Sequence, residues 1–189
     1  MDKGKSARLF YALWPDEILR SRLAEVSTWA RQRATGKWVR PENLHLTLAF
    51  LGPVDEGLWP NLRRVGADAA GARFVLRFDR VEIWPGNGIV CLRADLTPDP
   101  LRELVSGLGS RLAAAGFPAE SRNYRAHVTL ARKGRSDRSR FELADPVIWT
   151  AESFCLVESR QGPWGSVYTP WECWSLGTSE AIASEPSMT

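Results

Sequence analysis

The sequence predicts an α/β chain of the α+β type: two sheet lobes related by a pseudo-twofold, helices outside and a cleft between them. Three observations lead there. Strand-like and helix-like apolar runs alternate along the 189 residues. The only two histidines fall in matching tetrapeptides, His45-Leu46-Thr47-Leu48 and His127-Val128-Thr129-Leu130. These lie 82 residues apart, near matching points of two halves, which reads as an internal duplication.

The elements follow in order. Arg8 to Trp14 reads as a strand closed by Pro15, and Asp16 is placed to cap a helix carrying Ile18, Leu19, Leu23, Val26 and Trp29. Trp38 to Asn43 reads as a loop. Leu44 to Leu51 is a strand ended by Gly52-Pro53, and Glu56 to Ala70 is helical, with Pro60 marking its start. Phe74 to Trp84 and Ile89 to Leu96 form two strands joined by the turn Pro85-Gly86-Asn87-Gly88. Asp99-Pro100 opens a helix to about Ala115, and Ala126 to Arg132 is the second motif strand. Lys133 to Arg140 reads as a charged mobile loop. Phe154 to Glu158 and Val167 to Leu176 close the domain as a strand pair. Residues 1–177 are taken as one bilobal domain and 178–189 as a flexible tail without apolar pattern.

Composition bounds the function. A 44% hydrophobic, 25% charged chain is globular, and a net charge of +3 suits an anionic ligand without demanding one. No run is long and apolar enough to span a bilayer, so no membrane partner is expected. Cys91, Cys155 and Cys173 have no metal-ligand spacing and read as reduced thiols in a cytoplasmic protein.

The chemistry sits in the tetrapeptides. Alternate side chains of a strand share a face, so His45 points with Thr47, and His127 with Thr129. The apolar partners pack inward and leave the polar pairs facing a cleft. A histidine exchanges protons near neutral pH, and a threonine hydroxyl can donate to an anion. Two such units supply one acid, one base and two donors, enough for in-line attack on a phosphate ester. A single buried histidine is more often structural than catalytic, but two copies with matched threonines argue for chemistry. Two histidines without clustered carboxylates or cysteines make a poor metal site, and the scheme needs neither metal nor cofactor. Arg132, two residues past Leu130, is placed on the cleft-facing parity if the strand continues, where it would grip phosphate.

The chain resembles the two-histidine (2H) phosphoesterase superfamily with its two HxTx motifs, and within it the RNA 2′,3′-cyclic phosphodiesterases once called 2′-5′ RNA ligases. The resemblance rests on Arg8 to Leu13, on Arg40 to Gly52, on His127 to Arg132, and on Leu156 to Arg160 with Gly162-Pro163 and Val167-Tyr168. It implies hydrolysis of an RNA-terminal 2′,3′-cyclic phosphate to a 2′-phosphate. It implies His45 as proton donor to the 3′ oxygen and His127 as the acceptor that activates water. It supports Thr47, Thr129 and Arg132 as phosphate contacts, and allows reverse 2′-5′ joining.

The expected partner is an RNA end or a nucleotide, met by a monomer. Tyr168 and Tyr124 are candidate base contacts, and Trp164 either stacks on a base or covers the core edge. Phe50, five residues past His45, is assigned to the core. Arg40, Arg125, Arg132 and Arg160 are candidates to follow the phosphate backbone. The rival of another class is an RNA-end-binding protein without turnover.

Overall fold

A computed structural model of the chain describes residues 6–118, 123–163 and 165–177. Nine strands form one hydrogen-bonded sheet: β1 (Ser6–Leu13), β2 (Thr35–Trp38), β3 (Leu46–Asp55), β4 (Phe74–Trp84), β5 (Ile89–Ala94), β6 (His127–Arg135), β7 (Arg140–Ala151), β8 (Ser153–Gly162) and β9 (Gly165–Ser175). The helices are α1 (Glu17–Arg31), α2 (Trp59–Ala69) and α3 (Asp99–Ala114). The strand order is β7-β4-β5-β6-β3-β1-β8-β9, with β2 added to β6 and every named strand pair antiparallel. The two lobes are therefore halves of one sheet. β3-β1-β8-β9 make one, β7-β4-β5-β6 the other, and the two motif strands meet at the seam through a single pair, Leu46 with Val128. A strand and a helix precede each motif strand: β1-α1, with β2 inserted, before β3, and β5-α3 before β6.

Local chemistry sets the element ends. The Asp16 carboxylate accepts from the Leu19 amide at 2.8 Å and caps α1, as its position predicts. Pro60 sits in the first turn of α2, after a short 3₁₀ turn over Glu56–Leu58. Gly86 and Gly88, with φ of 88° and 61°, make the β4–β5 turn.

One large core lies between the helices and one face of the sheet. Leu23, Val26 and Ala30 of α1, Leu62 and Val65 of α2, and Leu101 to Leu112 of α3 meet Tyr11, Leu46, Leu76, Phe78 and Val128 there. Tyr11 donates its buried hydroxyl to the Leu62 carbonyl at 2.6 Å and ties β1 to α2. The opposite face carries a smaller cluster of Phe10, Ala12, Cys155 and Val157, flanked by Trp14 and Tyr168. The site is built on that face.

The structure corrects several expectations. β2 takes Thr35 to Lys37, which carry no strand pattern, together with Trp38 from the expected loop, and β7 is a strand that the sequence does not predict. β6 and β7 take both ends of the supposed loop from Lys133 to Arg140. Cys155 and Cys173 are joined as a disulfide rather than held as thiols, because they stand directly opposite each other in the β8–β9 register. Cys91 remains a free, buried thiol, with burial pushing it up to about 12. Trp164 and the segment 178–189 lie outside the described residues.

Candidate active site

His45 and His127 are anchored in the same way. The Nδ1 of His45 lies 2.7 Å from the Asn43 carbonyl, and that of His127 lies 2.7 Å from the Arg125 carbonyl. A carbonyl only accepts, so each Nδ1 carries the proton and the neutral ring keeps its Nε2 lone pair for chemistry. Asn43 is itself fixed: its side chain donates to the Ser166 carbonyl at 2.7 Å and accepts from the Tyr168 amide at 3.2 Å. The pair before each motif thus acts through its backbone, a role that side-chain identity does not advertise.

The seam brings the motifs together. Leu46 and Val128 pair with both side chains buried in the core, so His45, Thr47, His127 and Thr129 lie on the other face, each half-buried. That pair sets the two motifs side by side with antiparallel sense. The His45 Nε2 also lies 3.1 Å from the Thr47 hydroxyl.

The two rings have different surroundings. His45 sits among aromatics: Phe10 at 4.9 Å, Tyr168 edge-on at 5.3 Å and Trp14 stacked at 5.7 Å between ring centroids. Phe10, Ala12 and Trp14 alternate along β1 and its end, so strand parity could have placed Trp14 beside this ring. His127 is packed by Trp84 at 4.7 Å and pairs in register with Arg93, which donates to the Ala126 carbonyl at 2.9 Å. Glu82 holds that wall, accepting from Trp84 at 3.2 Å and from Arg80 at 2.8 Å. Burial alone would raise the Glu82 carboxyl, but the bonds from Arg80 and Trp84 hold it below the usual range. Trp84 and Arg93 reach His127 from other strands, and nothing in the local sequence marks them.

Burial pulls His45 down to about 4, outweighing the Asn43 carbonyl, with His127 and Arg132 adding repulsion. His127 is lowered as well, by burial first, then by Arg93 and Arg132. Both rings are thereby held uncharged at neutral pH, and an anion beside them would shift them upward.

Arg132 faces the cleft, but not for the reason given by its spacing. Plain alternation from His127 would put it with Leu130 in the core. A bulge opposite Val90 and Cys91 places Leu130 and Ala131 consecutively in the core and turns Arg132 outward, where it is exposed. Its charge acts on both histidines. Tyr168 is half-buried against Phe10 and His45, while Tyr124 commits its hydroxyl to the Thr47 carbonyl at 3.1 Å and so straps the β6 approach to β3. Arg40 donates to the Ser166 carbonyl, and Arg125 lies 5.9 Å from the Trp84 ring centroid. Arg160 has the parity of Glu158, on the face away from Phe10, and is paired with it at 2.8 Å. Phe50 is not core: it is 60% exposed. Among the described residues no group of three or more His, Cys, Asp or Glu side chains is disposed to hold a metal, and no helix is long and apolar enough to cross a membrane.

A split antiparallel sheet with a matched histidine–threonine strand at the inner edge of each half defines the two-histidine phosphoesterases. The chain belongs to the LigT-like phosphoesterases: the model of that family, described as LigT like phosphoesterase, matches residues 13–91 and 94–168, one motif in each segment. The chain is 32% identical over 182 residues to an RNA 2′,3′-cyclic phosphodiesterase of Thermus thermophilus, covering 89% of this chain and 90% of the relative. It is 28% identical over 173 residues to the enzyme of that name from Escherichia coli, covering 89% and 96%. The solved structure of E. coli LigT complexed with 3′-AMP superposes with a TM-score of 0.83 at 26% identity, covering 91% of this chain and 99% of that one.

Proposed function

We propose that this protein hydrolyses an RNA-terminal 2′,3′-cyclic phosphate to a 2′-phosphate, without a metal, by paired imidazole catalysis. The observation that carries the reading is the shared anchor: both rings are pinned through Nδ1 to a carbonyl two residues upstream, which turns Nε2 of each toward the site, that of His45 beside the Thr47 hydroxyl. Relatives over most of the chain are named RNA 2′,3′-cyclic phosphodiesterase, and a structural neighbour is a nucleotide complex, which supports the substrate class.

In this reading the His127 Nε2 takes a proton from water as its oxygen attacks phosphorus. The bond to the 3′ oxygen breaks, and the His45 Nε2 supplies that oxygen with a proton. Thr47, Thr129 and Arg132 hold the non-bridging oxygens where charge builds. Such acid–base help is worth ~10²–10⁴-fold in rate. The order of the two roles rests on family resemblance. Residues 1–177 act as one catalytic domain and as a monomer.

The test is an oligonucleotide with a 2′,3′-cyclic phosphate end, incubated with chelator-treated protein. Conversion to a 2′-phosphate end is expected, and His45→Ala and His127→Ala are each expected to remove most of it while the far-ultraviolet circular dichroism is kept. Near-wild-type turnover in either variant would refute the acid–base roles. A longer product would assign ligation, and tight binding with an unchanged end would assign a binding protein.

A further inference from the structure

The face that carries His45 extends beyond the histidine to an exposed aromatic–guanidinium pair. β1 and β3 are out of plain register at two points, between Leu9 and Phe10 and between Tyr11 and Ala12. The inner irregularity leaves Leu48 without a partner, sets Leu48 and Ala49 consecutively against the core and brings Phe50 directly opposite Phe10. Partners across an antiparallel pair share a face. Phe50 therefore emerges on the side of Phe10 and His45, where simple alternation would have buried it. Arg8, two residues before Phe10 on the same face, is exposed and holds its guanidinium carbon 5.5 Å from the Phe50 ring centroid.

The geometry points to a second nucleotide subsite: we propose that Phe50 and Arg8 receive the base and phosphate of the nucleotide 5′ to the cyclic end. The proposal rests on the RNA phosphodiesterase reading above. Phe10 lies 4.9 Å from His45, and Phe50 stands directly across from Phe10 on β3, ~5 Å away and further along the strand that His45 leads into. A terminal nucleotide at the histidines thus leads its neighbour toward Phe50. Every base has a π-face, so an exposed phenyl ring is a sequence-tolerant platform, and the cation beside it complements a backbone phosphate. An isolated exposed phenylalanine is ordinary on a protein surface. This one is turned out by a register shift, aligned with the site and accompanied by the charge that RNA requires.

The consequence is length selectivity, which a site ending at the histidines would lack. Wild type, Phe50→Ala, Phe50→Trp and Arg8→Gln are compared on a mononucleoside 2′,3′-cyclic phosphate and on a tetranucleotide with the same end. Binding of a fluorescent tetranucleotide bearing a 2′-phosphate is measured alongside. Phe50→Ala should lower kcat/KM on the tetranucleotide roughly 5- to 100-fold, mainly through KM, and weaken its binding equally. It should leave the mononucleotide unchanged, and Phe50→Trp should restore the tetranucleotide. Arg8→Gln should flatten the slope of log affinity against log salt by ~0.7. Equal loss on both substrates, or no change in tetranucleotide turnover and binding, overturns the subsite. So does a wild-type dimer that Phe50→Ala dissociates with RNA binding intact, which would assign the face to a second copy. If no cyclic phosphate is hydrolysed yet Phe50→Ala still weakens tetranucleotide binding, the phosphodiesterase reading fails and the subsite stands.

Discussion

A backbone carbonyl decides the state of each catalytic candidate. Fixing the proton on Nδ1 leaves a ring that can only accept at Nε2 until that atom is protonated, and burial pulls His45 down to about 4. An anion against Nε2 favours the charged ring, so the substrate itself would raise its acid into range. Adenosine 2′-phosphate should therefore move the His45 titration upward, toward the ~6.5 of a free imidazole or above, with a proton taken up on binding. Imidazole NMR across a pH series checks this, and an unmoved His45 would place the phosphate elsewhere. Thr47 has one hydroxyl and it faces that ring, so Thr47→Val should cost roughly 10²–10³ in kcat, the loss seen when one aimed donor is removed, while Thr47→Ser retains most of it. The motif residues were legible because both catalytic types fall within one tetrapeptide. Trp84 and Arg93 were not, because each approaches His127 from another strand.

Elements with a steady period could be read directly. Phe74 to Trp84 matches β4 residue for residue, and α1 and α3 start where Asp16 and Asp99 suggest. β2 has four residues with no buried side chain among them, and β7 is broken by Asp145-Pro146, so neither offers a clean alternation. Bulges did the most damage to inference. The inner bulge of β3 turns Phe50 off the core, and the bulge of β6 gives Arg132 an exposed position that plain alternation would deny it. Helix α2 lies close on the sheet at Gly66, where an added Cβ would come within 2.5 Å of the Trp174 ring. Trp174 is hemmed in by Tyr11 and Phe154. Gly66→Ala should destabilise by ~1–3 kcal/mol through overpacking despite its better helix propensity, as urea unfolding would report. A more stable variant would mean that the helix can lift away.

At the scale of the molecule, two sheet halves meet in a single residue pair, reinforced by the Tyr124 hydroxyl on the Thr47 carbonyl. The disulfide staples the outermost strand pair of the His45 half, closing a separation of 18 residues. Cross-linking a loop of that size stabilises by ~3 kcal/mol in the chain-entropy view. Reduction should then lower Tm by roughly 5–10 °C for a chain of this length, and denatured unreduced protein should titrate one free thiol, Cys91. Three thiols before reduction would show that the cross-link is not formed. The sequence by itself determined the chemistry on offer, the strand that carries each motif and the face its residues share, because those properties repeat within a few residues. Only the tertiary structure decided which aromatics and cations surround each imidazole, which way Phe50 and Arg132 turn, and which cysteines meet. Those outcomes depend on register between strands distant in the chain, and a one-residue shift in register changes the face of every side chain beyond it.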